Sequence, residues 1–429
     1  MLEQLIALLV MFFLMALTHI LPVGAFEDNS IRAATALGFI IPTAYIIGSV
    51  LHRFKLPKIT GYMIVGVLAG PYVLDFLTEP IVHDLTLIDQ VALSLIAFSA
   101  GRKLKISMLR KRAKPILYIT LARTIVCVTL GFGFTYLIGP HFFAFLKGQP
   151  QSIIVVVAIF FGIFSLATSP VLTIAVIEET KSEGPITDTI LGSVVLADLI
   201  IIMLAAIAVS LSKAILSNAG IDAVVFGRLS LELVGSFLMG ILCGGGIALY
   251  LHYVKEQSAF FVLAAAFICT QIANVFHLDA LLLCLSAGFV IENVFHKGND
   301  FLAAISKSTP LIYVIFFPIT AATLNLHAIQ MTWYVILTLL LLRKISVFTS
   351  VYLGSKLSED NPGMRRWGWL AFFHQAGVTL ALAVIIDRSF PEFGGYVKAV
   401  ALGMVACTDF YGPALFKFAL WKVGEAKVV

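Results

Sequence analysis

Apolar residues along this chain come in long uninterrupted blocks, and polar residues gather between the blocks. Cutting at the charged and Pro/Gly-bearing stretches leaves fourteen apolar segments of roughly 17–28 residues. They lie near 4–22, 33–52, 59–76, 84–101, 115–137, 152–178, 187–211, 229–253, 258–276, 279–295, 308–326, 330–355, 367–387 and 395–420. At about 1.5 Å rise per residue each is about long enough to cross a hydrocarbon core of about 30 Å as a helix. The pattern predicts an all-α polytopic membrane protein with thirteen core transmembrane helices (segments 2–14) and one further N-terminal segment. No loop is long enough for a soluble domain.

Two segments are broken in the middle. Segment six, IIVVVAIFFGIFSLATSPVLTIAVIEE, carries Thr168-Ser169-Pro170 at mid-depth. Proline removes a backbone donor and clashes with the preceding turn. Segment thirteen, WLAFFHQAGVTLALAVII, has its soft spot at His374-Gln375-Ala376-Gly377. Irregular backbone at that depth survives only inside protein or along a cavity. Each interruption occupies the middle of a three-segment unit, five to seven and twelve to fourteen. Matched breaks in corresponding halves point to an inverted-repeat transporter fold with substrate bound at mid-membrane.

Composition agrees. Of 429 residues 60% are hydrophobic and 12% charged, where a soluble protein carries about 25% charged; mean hydropathy is +1.01. The net charge of +5 matters by position. Arg53, Lys55 and Lys58, then the run Arg102 to Lys114, then Lys356, Arg365 and Arg366 occupy loops of one parity. The positive-inside rule puts these loops and the C-terminus in the cytoplasm, and topology explains the basic run without nucleic acid. The five cysteines all fall within apolar segments with no metal-ligand spacing, so they read as small buried hydrophobes. No Walker, HExxH or GxSxG sequence is present, and Gly244-Gly245-Gly246 lies inside a segment with no strand before it. The chain is expected not to be an enzyme and to need no cofactor. Residues 1–25 read as an extra helix or a signal peptide, since Val23-Gly24-Ala25 resembles a cleavage site but the first residues lack Lys and Arg.

Charges inside the segments carry the chemistry. Asp198 is the only charge in LGSVVLADLIIIMLAAIAVSL. Insertion scales put aspartate at the centre of a membrane helix at about 2.5–3.5 kcal/mol unfavourable, so such a residue marks a proton or cation site. The basic pair Arg343-Lys344 stands in segment twelve, one segment before the second break. Neighbours on a helix point about 100° apart, so only one of the two faces a given partner. Arginine keeps its proton in a protein, so Arg343 would compensate charge without carrying an exchanged proton, whereas Lys344 would be able to release one. Arg123 is a further intramembrane cation, with Asp409 or Asp198 as candidate partners. His374 is a candidate pH sensor or interhelical hydrogen-bond partner. Gln375 is placed to line the cavity. Glu178 and Glu179 end segment six, either drawing in cations or as a solvated helix end.

At these residues the chain resembles the cation:proton antiporter superfamily of sodium/proton and Kef-type potassium/proton exchangers. LPKITGYMIVGVLAGPYVL (56–74), LIAFSAGRKLKISMLRK (95–111), Ala167-Thr168-Ser169-Pro170, LADLI (196–200) and LLLRKISVF match its ordered motifs over 33–420. The resemblance implies crossed discontinuous helices and an ion site at Asp198 with Thr168 and Ser169. It departs from the family at Ala197, where a polar ligand usually precedes the aspartate, and at Ser169, where many exchangers have aspartate. It further implies dimerisation or scaffold helices at 26–112 and 257–327, a core at 113–213 and 329–421, and a linker helix at 228–254. The expected function is antiport of Na⁺ or K⁺ against H⁺ by alternating access, electroneutral because one carboxylate trades one proton for one cation. A homodimer in the bacterial inner membrane is expected. A cation-coupled organic anion or solute carrier on the same fold, and a non-transporting partner subunit, stay open as alternatives.

Overall fold

The computed structural model describes residues 10, 13, 29–54, 56–217, 223–254, 258–297, 301, 309–322, 326–375, 379, 382–383, 386–387, 390 and 392–427. Most of the N-terminal segment 1–25 lies outside the described residues, as do Ala376 and Gly377 of the second break. The described chain is helical and contains no strand. Seven of its helical spans are long and apolar enough to cross a membrane, and four shorter apolar helices accompany them.

The helices, in order, are α1 (Asn29–Arg53), α2 (Lys58–Ala69), α3 (Thr86–Lys103) and α4 (Ala113–Leu137). Then come α5 (Gln151–Leu166), α6 (Pro170–Thr180), α7 (Pro185–Ser217) and α8 (Ala223–Tyr253). The last are α9 (Ser258–Phe276), α10 (Ala280–Asn293), α11 (Thr309–Ala322), α12 (Leu326–Leu357) and α13 (Gly394–Lys422). The third apolar segment ends as a helix at Ala69 rather than near 76, because Gly70 leaves the helix with extended backbone and a proline follows.

The chain divides into two compact units, 1–105 with 235–324 and 106–234 with 325–429. In the first, glycines allow helix backbones to touch. A Cβ on Gly66 of α2 would overlap Pro318 of α11, and one on Gly101 of α3 would overlap the Leu285 carbonyl of α10. The glycine spacing in 57–70 is therefore a packing code. Among this unit's described residues no charged side chain is buried, and Ser94 and Thr270 share a buried hydrogen bond of 2.8 Å. Among the described residues the buried charged side chains, Arg123, Asp198, Arg343, Asp360, Asp409 and Lys417, all belong to the second unit.

In the second unit three pairs of contacts set helix direction. Arg112, just before α4, bonds Asp360 beyond α12. A Cβ on Gly354 of α12 would meet Ile119 of α4, and Cys127 Sγ lies 3.9 Å from Ser350 Oγ. Numbers rise on α4 as they fall on α12, so these helices are antiparallel. The two stretches of chain that they open, α4 to α7 and α12 to α13, therefore start in opposite directions. By contrast Arg112 Nε bonds Thr189 at 2.9 Å and Thr120 bonds Ser193 of α7 at 2.9 Å. Numbers rise together here, so α4 and α7 are parallel.

Candidate functional site at the helix crossing

The first break follows from its sequence. The residue before a proline avoids helical backbone, and Ser169 is extended at φ −76°, ψ 116°. Its hydroxyl then caps α6 by accepting from the Leu172 amide at 3.2 Å, with Pro170 at the first helical position. The second break starts where a 3₁₀ turn, Gly368–Phe372, gives way to non-helical backbone at His374 and Gln375. The two breaks cross in contact. The Ser169 amide donates to the His374 carbonyl at 3.1 Å, and Thr168 Oγ1 donates to the Phe372 carbonyl at 3.3 Å.

A helix that stops inside a membrane leaves its last carbonyls without partners. Two guanidiniums and one amide meet those of α5. Arg343 Nη1 donates to the carbonyls of Phe164 at 3.0 Å and Ser165 at 2.6 Å. Its Nη2 donates to Ala167 and, at 2.9 Å, to Phe372. Arg123 Nη2 donates to Leu166 O at 2.9 Å and to Thr168 Oγ1 at 2.6 Å. Gln375 Nε2 donates to Phe164 O at 2.6 Å. The guanidinium of Arg123 also lies 4.1 Å from the centre of the Phe372 ring, a cation–π contact. Both arginines are fully buried. The carbonyl end of a helix carries about half a negative charge, so these cations sit where the field favours them.

This arrangement revises the expected pairing. The hydrogen bonds of Arg343 and Arg123 run to the break rather than to a carboxylate. Lys344 is exposed on α12 and is not brought to the crossing. Thr168 and Ser169 have structural bonds, the first between Arg123 and Phe372 and the second as a cap. His374 is buried, and its Nε2 lies 2.8 Å from Thr173 Oγ1. Asp409, on α13, accepts from the Gln375 amide at 2.9 Å and is 4% exposed. A Cβ on Gly412, one turn away, would overlap His374; glycine there lets α13 touch the second break.

Asp198 is buried in α7 at 8% exposure, beside the fully covered Ala197. From the Thr120–Ser193 contact, three residues along α4 reach Arg123 and five along the parallel α7 reach Asp198. At 1.5 Å per residue the two stand about 3 Å apart in height. Asp198 is therefore level with the crossing.

Three polar features escaped the sequence. Lys417 of α13 is buried and lies 3.9 Å from Glu179 at the end of α6, so Glu179 is half of a covered ion pair, not a solvated helix end. Glu425 accepts from the amides of Ile186 at 2.9 Å and Thr187 at 2.7 Å, capping α7 from 239 residues away. Arg112, read only as part of a basic loop, joins Thr189 and Asp360. Of these only Lys417 left a signal, a lone cation in PALFKFAL.

A family model described as "Sodium/hydrogen exchanger, transmembrane" matches residues 38–422. The chain belongs to the sodium/hydrogen exchanger family. Its similarity to known members is distant but extensive. It is 27% identical over 336 residues to a Na(+)/H(+) antiporter of Enterococcus hirae, covering 75% of this chain and 81% of the relative. It is 23% identical over 298 residues to the Na(+)/H(+)-K(+) antiporter GerN of Bacillus cereus, covering 68% and 70%. The sodium proton antiporter MjNhaP1 of Methanocaldococcus jannaschii superposes with a TM-score of 0.69 at 15% identity, covering 92% of this chain and 96% of that one. The exchanger is thus a multi-pass membrane protein of the antiporter fold, and its relatives are transporters that exchange cations for protons.

Proposed function

We propose that this exchanger carries a monovalent cation, Na⁺ or K⁺, against H⁺ by alternating access, with Asp198 as the carboxylate for which proton and cation compete. One observation carries the reading: Asp198 is buried in the membrane-spanning α7, level with the crossing of two broken helices. A buried carboxylate binds either a proton or a cation, since each removes the cost of its bare charge. Moving the site with the charge neutralised is easier than moving it bare, which couples the two fluxes. Backbone carbonyls and hydroxyls at the breaks supply oxygen ligands suited to a hard monovalent cation, in the manner of unwound helices in other transporters. The bacterial relatives, a Na(+)/H(+) and a Na(+)/H(+)-K(+) antiporter, support Na⁺ and K⁺ as the cations.

Exchange is electroneutral in this scheme, because the arginines keep their protons and one carboxylate trades one proton for one cation. The basic loops and the C-terminus face the cytoplasm of a bacterial inner membrane, supported by the Lys/Arg asymmetry. The first unit carries the contact of a homodimer, which the family resemblance supports.

The test is dye-reported collapse of an imposed ΔpH in proteoliposomes on addition of NaCl or KCl. Wild type is expected to collapse it with at least one salt, and Asp198→Asn with neither. Collapse of equal rate in Asp198→Asn refutes the site. Clamping the voltage with valinomycin and K⁺ during the NaCl assay is expected to leave the rate unchanged.

A further inference from the structure

The second unit holds more buried charge than one exchanging carboxylate explains. Its covered ions sort into local groups. Lys417 pairs with Glu179, and Asp360 with Arg112. What is left among the described residues is Arg123 and Arg343 against Asp198 and Asp409, two cations and two anions. With Asp198 alone two buried guanidiniums would have one carboxylate and the partial charge of the helix carbonyl ends against them, and an ion buried short of full compensation costs several kcal/mol.

The two aspartates occupy corresponding places. Asp198 is on α7, the last helix of the stretch that α4 opens, and Asp409 is on α13, the last helix of the oppositely starting stretch that α12 opens. Their surroundings differ. At the first break the new helix start is capped by a neutral hydroxyl, Ser169 to the Leu172 amide. At the second break the amide of Gln375 is bound by the carboxylate of Asp409 itself. One half of the site has its helix start capped by a hydroxyl. The other uses its carboxylate as the bond to the break.

We propose that Asp409 is the fixed counter-charge of the transport site: it stays bound to the second break, offsets one of the two buried guanidiniums, and leaves Asp198 as the carboxylate that trades proton for cation. This rests on the reading of Asp198 given above. Asp409 is a positioning residue in this scheme. It holds Gln375, whose side-chain amide in turn reaches the Phe164 carbonyl, and it sets the potential at which a cation arrives. Besides Arg343, His374 faces α13 from the second break, stacked at 5.9 Å on Phe416.

The experiment compares Asp409→Asn, Asp409→Asn/Arg123→Gln and Asp198→Asn with wild type, as purified full chains in proteoliposomes, with NaCl as the probe. Asparagine keeps an oxygen for the Gln375 amide and glutamine keeps an N–H donor on the α4 side chain, so both changes remove charge while leaving a group of the same hydrogen-bonding type in place. One excess positive charge close to the site is expected to raise the KM for Na⁺ about tenfold, more than it lowers the maximal rate. The double variant, neutral again, is expected to bring KM back towards wild type. A KM unchanged in Asp409→Asn, or raised and not lowered again in the double variant, overturns the proposal. If Asp409→Asn transports nothing or does not accumulate, recovery in the double variant supports the charge balance and its failure overturns it. Asp198→Asn separates the two readings. Transport by that variant sinks the exchanging role of Asp198, whereas its silence beside an unchanged KM in Asp409→Asn sinks only the counter-charge.

Discussion

At the scale of the residue, Arg343 shows that position and partner are set at different levels. A basic pair one helix before a break is legible as a source of a candidate cation for the site, because lipid tolerates charge only with compensation. Which atoms compensate it is a tertiary matter: four carbonyls, from Phe164, Ser165, Ala167 and Phe372, converge on one planar fork. Lysine cannot reproduce that fork, having a single point charge on a flexible stem. Arg343→Lys is therefore expected to unfold at lower temperature than wild type in detergent, and Arg343→Ala lower still, since each buried carbonyl left without a donor costs about 1–3 kcal/mol. Equal melting of Arg343→Lys and wild type would contradict the fork. Lys344, one residue on, is exposed, and Lys344→Gln is expected to leave both melting and transport unchanged. The sequence left the choice between the two open, since the helical angle says that they diverge and not which one turns inward.

Among elements, the broken helix α5–α6 was the most legible. A proline in a 27-residue apolar run has a single local consequence, and Ser169 before it adds the cap. Ser169→Ala is expected to cost about 1 kcal/mol, read as a modest fall in melting temperature with the break retained. The second break was less legible because no proline marks it, only polar His374 and Gln375 and the helix-weakening Gly377. The start of α7 was not legible at all. Its cap is Glu425, which follows α13 and reaches two amides and the Thr187 hydroxyl. Nearby Lys427 donates its amide to the Thr180 carbonyl at 3.0 Å, so the same stretch ties the α6–α7 connection down. Glu425→Ala is expected to lower stability by about 1 kcal/mol and to speed hydrogen exchange at 181–188, measured by mass spectrometry. Unchanged exchange in that loop would contradict the clamp.

At the scale of the whole molecule, buried charge separates the two units. The first has no buried charge among its described residues and is packed through glycine contacts; Gly101→Leu, which would overlap the Leu285 backbone, is expected to abolish accumulation of folded protein in the membrane. The second concentrates the buried charged side chains of the described residues. The sequence by itself determined the class of the molecule, its broken segments and the identity of the intramembrane charges. Each follows from a one-dimensional rule: hydrocarbon thickness sets segment length, proline breaks a helix, and lipid excludes an uncompensated ion. Only the tertiary structure decided how those charges are shared out. It sets Arg123 and Arg343 on the carbonyl ends of the breaks, Asp409 on the Gln375 amide and Asp198 level with the crossing. The physical reason is that a hydrogen bond to backbone depends on where the backbone stops being helical in space. Residues from Arg123 to Asp409 meet at one crossing, and no local rule relates positions that far apart.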